Sequence, residues 1–347
     1  MKQALLGLLL LCVLSSATHG QTAISPVCSR QSSPTGLGMS SPVAEAATEG
    51  DEKAPVAQAA LKLAFAIENS IPDPYIGVSG NFDGQGLSLG LIQFNLGGSI
   101  QKTFGPVDDG VFASTMPKWG DVFRAAVKTA SPSAAIKQVL VMQDHVGKRW
   151  IVKPDAIAEL QAFLGSREAR AAQDRAVALE YKSAYRRAAQ WAQERGAKTP
   201  TPREIATFVD NQVFSGGFLG HMWLKQAKQF RDSFKGDDGA MIAFVGKWLR
   251  SCPASGSSLL YGADEGKANA DVWRSRFPSG TQLSDERALL FVFGFVRALT
   301  ANGPPKVAGQ PDQSGIFKSQ VVQRRALIAL GTGKANGIPW PGGVLDD

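Results

Sequence analysis

A helical hydrophobic period runs from Pro55 nearly to the C-terminus, and one stretch, Tyr75 to Phe94, breaks it. Leu61, Ala64, Phe65 and Glu68 recur at i, i+3, i+4 and i+7, one face of a first helix that Pro72 and Pro74 stop. Tyr75 to Phe94 then sets β-branched and aromatic residues between glycines, the pattern of a hairpin or small sheet. Beyond it the period predicts helices near 118–130, 132–144, 154–164, 166–195, 202–214, 221–234, 238–250, 267–276, 284–300 and 318–330. Pro154, Pro202 and Ser284 read as helix starts, and Gly165, Gly196 and Gly331 as stops. One small sheet among many helices points to a predominantly helical α+β fold and away from a doubly wound parallel sheet.

The two ends of the chain read differently. Lys2, the apolar run Ala4–Leu14 and the small residues Ser15 to Gly20 form an export signal, with cleavage expected after Gly20. Eleven apolar residues are too few to span a bilayer, so stable membrane insertion is not expected. Residues 21–54 are rich in Ser, Pro, Thr, Gly and Ala and show no period, as a leader does. A main domain is expected over 55–250. A helical part, 251–347, begins at the Cys252–Gly262 break, as the same domain or an extension.

Charge and cysteines narrow the partners. The chain carries a net charge of +7, and loss of the export signal removes Lys2 and no acid, leaving +6. That sign favours anionic surfaces such as bacterial cell wall. No block of five basic residues and no aromatic–basic alternation occurs, so nucleic acid is not an expected partner. The mature chain keeps Cys28 and Cys252, which form either one disulfide or two free thiols. With His145 and His221 far apart, no zinc site is expected.

Glu68 ends the first helix, and fifteen residues later Asp83 sits in Asp-Gly-Gln-Gly. Apolar neighbours and the negative end of the helix dipole both raise the pKa of a carboxyl, as a general acid requires. A hydrated glycine turn keeps the second carboxyl ionised, as a base requires. Two carboxyls in unlike environments are the minimum equipment for hydrolysing a glycosidic bond. Taken singly, Glu68 also reads as a solvated helix end and Asp83 as an ordinary turn residue.

The run Asp83-Gly84-Gln85-Gly86-Leu87-Ser88-Leu89-Gly90-Leu91-Ile92 resembles the hairpin of bacterial chitosanases of the lysozyme superfamily. Glu68-Asn69-Ser70 with Gly90-Leu91-Ile92-Gln93 is similar to the pattern of peptidoglycan lytic enzymes. Phe208 to Gly217, with Asp210, resembles the helix that packs behind the chitosanase site. The resemblance implies a lysozyme-like fold and an inverting glycosidase needing no cofactor. Glu68 would be its acid, Asp83 its base and Ser88 the hydroxyl that orients water. The family carries threonine where Ser88 stands, and its Glu–Asp spacing is a few residues longer. Inversion implies carboxyls roughly 6.5–9.5 Å apart. Gln93 and Asn95 are candidate sugar contacts, Tyr75 a cleft or core aromatic, and Asp210 a structural partner or substrate contact.

The polysaccharide expected first is peptidoglycan, from the basic charge and Gln93, and second chitosan, from the hairpin. Two other readings stand lower. Gly86-Leu87-Ser88-Leu89-Gly90 matches a serine-hydrolase nucleophile elbow, which needs a helix directly after it. A non-catalytic cell-wall-binding protein on the same scaffold is the other. The helix carrying Arg324 and Arg325 reads as a solvated face or a contact to anionic glycan.

Overall fold

The computed structural model describes Cys28 and residues 73–81, 84–147, 149–215, 222–252, 262–301, 314–335 and 338–340. The signal segment, the leader apart from Cys28, the first helix with Glu68, Asp83, His221 and most of the Cys252–Gly262 break lie outside the described residues. What is described is predominantly helical, with a small antiparallel sheet.

Three two-residue strands, β1 (Val78–Ser79), β2 (Ser88–Leu89) and β3 (Phe94–Asn95), pair antiparallel in that order. Val78 faces Leu89, which faces Phe94; Ser79 faces Ser88, which faces Asn95. Opposed residues project to one face and successive residues to opposite faces, so one row is apolar and the other polar. Leu89 and Phe94 are buried. Phe94 meets Phe104 edge-on at 5.9 Å, and Phe104, Phe112 and Phe123 close around Phe163 at 4.7–5.5 Å.

Those rings come from α1 (Ser99–Phe104), α2 (Asp109–Thr115), α3 (Gly120–Lys128) and α5 (Pro154–Gly165). Between α3 and α5 lie α4 (Pro132–Val139) and a hairpin of β4 (Gln143–Val146) and β5 (Arg149–Val152). Here the sequence expectation of one helix over 132–144 is corrected. After Val139 the chain tightens into a 3-10 turn, Leu140–Met142, and Gln143 is extended at φ −130° and ψ 150°. The apolar run Val139–Leu140–Val141–Met142 fits either period, and burial of Gln143 and Val152 favours the strand. Helices α1 and α2 were not anticipated, because six and seven residues are too short to display a helical period.

Helix α6 (Arg167–Arg195) spans twenty-nine residues, about 43 Å. Ser166 caps it by accepting from the Ala169 N–H, and Gly196 ends it at φ 90°. Its buried stripe runs from Ala169, Ala172 and Gln173 through Tyr181 to Trp191, so the first turns serve the sheet region and the last turns a second helical region. That region comprises α7 (Pro202–Ser215), α8 (Met222–Asp232), α9 (Asp238–Arg250), α10 (Gly262–Arg276), α11 (Asp285–Thr300) and α12 (Ser314–Leu330). The short hairpin β6 (Lys334–Ala335) and β7 (Ile338–Pro339) follows.

Thr201 and Glu204 form a capping box at the start of α7. The Thr201 hydroxyl accepts from the Glu204 N–H at 3.1 Å, and the Glu204 carboxylate accepts from the Thr201 N–H at 2.9 Å. Helix α11 is buried from Ala288 through Val296, as befits a helix apolar on all sides. A Cβ on Gly294 would lie 2.7 Å from the Cβ of Arg325, so glycine lets α11 and α12 cross closely. Cys28 and Cys252 meet at disulfide distance with 4.7 Å between Cα atoms, and the Cys28 N–H donates to the Ser251 hydroxyl. The link spans 224 residues, for which loop entropy predicts about 5 kcal/mol of stabilisation.

The reading of Arg324 and Arg325 as a solvated face is also corrected. Both are buried and turned toward Asp210 on α7. Among the described residues, no helix is long and apolar enough to cross a membrane.

Candidate functional site

The polar row of the sheet, Ser79–Ser88–Asn95, is where the sequence candidates gather. Ser88 lies at its centre and is 4% exposed; Ser79 and Asn95 on either side are half-buried. The Asn95 N–H donates to the Ser99 hydroxyl at 2.8 Å, which anchors β3 to the start of α1.

The β1–β2 connection is closed at its base by side-chain amides. Asn81 Oδ1 accepts from the Gly86 N–H at 2.9 Å. Buried Gln143, the first residue of β4, accepts from the Asn81 N–H at 2.8 Å and donates to the Gly86 carbonyl at 3.3 Å. Gly86 has φ 87°, and a Cβ there would meet Leu96 at 3.0 Å and Ile136 at 3.2 Å, so glycine is required twice over.

A second glutamine does the same for the β2–β3 turn. Fully buried Gln173 on α6 accepts from the Leu91 N–H at 3.0 Å and donates to the carbonyls of Tyr75 and Leu164 at 3.4 Å. One amide thus holds both the 90–93 turn and the segment carrying Tyr75. Gln93 in that turn adopts φ 54°, a left-handed conformation that costs a non-glycine residue roughly 1 kcal/mol. Outliers of this kind cluster where a side chain must be aimed.

Tyr75 sits in a 3-10 turn capped by Asp73, whose carboxylate accepts from the Tyr75 N–H at 3.1 Å. Its hydroxyl donates to Asp174, and the Arg170 guanidinium lies 4.5 Å over its ring while pairing with Asp73. Burial first, and then the bond to Asp174, push the Tyr75 phenol up to about 12. It is a neutral hydrogen-bonding group at any physiological pH.

The structure therefore brings Ser88 and Asn95 together in register, and ties Tyr75 and the turn carrying Gln93 to one amide. Glu68 and Asp83 lie outside the described residues. Asp210 stands apart: it is fully buried, with Arg324 at 2.7 Å and Arg325 at 3.5 Å from its carboxylate oxygens. Arg325 also donates to Asn211 Oδ1 at 3.1 Å. This is a structural ion pair, not a surface that a polymer touches. The nucleophile elbow is likewise corrected, since Ser88 lies within β2 and a turn beginning at Gly90 leads on to β3, with no helix directly after the serine.

Gln143 and Gln173 were missed from the sequence. Gln173 carried a usable signal, a polar residue within the stripe Ala169, Ala172, Ala176 and Val177. Gln143 carried none. Compared with protein-family models, curated proteins and solved structures, the chain matches none of them.

Proposed function

We propose that the chain is an exported glycoside hydrolase on a lysozyme-like scaffold, cleaving a β-1,4-linked amino-sugar polymer by acid–base inversion. Peptidoglycan is the first substrate and chitosan the second. One observation carries the reading. A polar row on a three-stranded sheet adjoins a glycine-rich connection whose ends, Asn81 and Gly86, are pinned by a buried glutamine. In sequence, Asp83 lies between those pinned ends.

In this reaction Glu68 gives its proton to the glycosidic oxygen as the bond from that oxygen to the anomeric carbon breaks. A water on the opposite face of the sugar forms the new bond to that carbon, and Asp83 takes the water's proton. Ser88 orients the water, while Asn95, Gln93 and Tyr75 meet the sugar. The two carboxyls and water complete the stoichiometry, with no cofactor. The basic mature chain suits an anionic wall polymer.

The test is reducing-end release on purified peptidoglycan and on chitosan by wild type, Glu68→Gln and Asp83→Asn, each confirmed folded by circular dichroism. General acid–base catalysis predicts losses of about 10²–10⁴-fold in both variants on one of the polymers. Loss in Glu68→Gln alone would shift the mechanism to a single-glutamate transglycosylase. A folded wild type that cleaves neither polymer sinks the hydrolase reading and moves a cell-wall-binding role ahead.

A further inference from the structure

Hairpin β4–β5 is joined to the sheet by two contacts. Gln143 at its base holds Asn81 and Gly86, and Gly80 runs so close to β5 that a Cβ there would lie 2.4 Å from the Trp150 carbonyl oxygen. The hairpin therefore packs directly against Gly80, Asn81 and Gly86 at the two ends of the β1–β2 connection.

The register sorts the hairpin's faces. Gln143 opposes Val152 and His145 opposes Trp150, so these four share a face; Asp144, Ile151 and Val146 belong to the other. On the first face Gln143 and Val152 are buried, and Gln143 bonds Asn81 and Gly86. One step outward, the His145 and Trp150 rings lie 4.8 Å apart at an interplanar angle of 49°. His145 is exposed and Trp150 half-buried. Other described rings are half-buried too, among them Tyr75, Tyr185, Phe230 and Trp340, but those pack against the core, whereas Trp150 lies outside that cluster beside exposed His145. An indole offers a flat apolar face that matches the C–H face of a pyranose, while sugar hydroxyls stay in water at its edge.

We propose that hairpin β4–β5 carries an additional sugar-binding subsite, with Trp150 as the stacking platform and His145 as its flank. The subsite rests on the glycan-hydrolase reading and extends the proposed site from Ser79 of the polar row across Gly80 onto the hairpin. It takes a sugar ring remote from the scissile bond, so it acts on long chains and not on short ones.

The experiment combines kinetics and binding on the mature chain. Trp150→Ala is expected to raise KM on the polymer about tenfold, the scale of one lost aromatic contact, with kcat unchanged. On a trisaccharide its KM should equal that of wild type. Trp150→Phe should restore most of the loss, and His145→Ala, a change at an exposed site, should give a smaller loss of the same kind. In parallel, the indole N–H signal assigned by its absence in Trp150→Phe should shift when chitosan or N-acetylglucosamine hexamer is added to wild type.

An active wild type whose Trp150→Ala variant keeps its KM on polymer overturns the subsite and leaves the hydrolase reading intact. A shifted indole signal in a protein that cleaves neither polymer upholds the subsite and overturns hydrolysis. An unshifted signal with no cleavage overturns both.

Discussion

The sheet region and the helical region differ in the polar groups they bury. Among the described residues, the buried polar side chains of the sheet region are Ser88, Thr103, Gln143 and Gln173, all neutral. The helical region buries neutral Thr207, Asn211, Asn269, Ser319 and Gln323 and, in addition, the charged Arg203, Glu204, Asp210, Asp238, Lys318, Arg324 and Arg325. An amide carries donor and acceptor together, so one glutamine can hold two backbone segments without placing a charge beside the site. A buried ion pair fixes one helix against another through partners that each require the other. Asp238 illustrates this: it takes Arg231 at 2.8 and 3.0 Å and also accepts from the Leu283 N–H at 2.8 Å. Among the described residues, buried charge is thus confined to the helical region, and the sheet region is held by neutral groups.

The largest test of that contrast is Asp210→Ala. It strands Arg324 and Arg325 in the interior and should cost about 3–5 kcal/mol in urea unfolding. Unchanged stability with weakened glycan affinity would instead make Asp210 a substrate contact and erase the distinction. Next comes Cys252→Ser, expected to lose about 2–5 kcal/mol, in line with removal of a long-loop disulfide. A variant as stable as wild type in non-reducing buffer would show that the cysteines are not bonded in solution.

Gln143→Leu and Gln173→Leu should each cost less, about 1–3 kcal/mol, because each leaves buried backbone groups without a partner. Amide exchange sharpens this: Gln143→Leu should expose the N–H of Asn81, and Gln173→Leu that of Leu91. Exchange unchanged at both positions would deny the glutamines their holding role. The smallest effect is alkaline. The phenol of Tyr75 is raised from 10.0 to about 12, so its neutral form is favoured in the fold. Its contribution is whole below pH 10 and is lost as pH climbs toward 12. Tyr75→Phe should lack that decline; an identical alkaline profile would remove Tyr75 as its source.

Much of the helical region was legible because its signals are local. Helix α6 is expected over 166–195 and found over Arg167–Arg195, since Ser166, a long buried stripe and Gly196 all lie within its own sequence. Pro154, Pro202 and Ser284 open helices, and Gly331 closes α12 at φ 67° for the same reason. The polar row Ser79–Ser88–Asn95 follows from strand alternation once a hairpin is recognised. What could not be read are partnerships across the chain. Arg324 is 114 residues from Asp210, and nothing in its own helix says that it faces a carboxylate. Gln143 and Gln173 bond to backbone groups 57 to 98 residues away, and backbone partners leave no mark on the sequence.

The most direct measurement takes Asp83→Asn and Glu68→Gln through urea unfolding and glycan cleavage side by side. The reading of the sheet region as the working site predicts wild-type stability in both and cleavage reduced by about 10²-fold or more. Two folded variants that release reducing ends at the wild-type rate would contradict it.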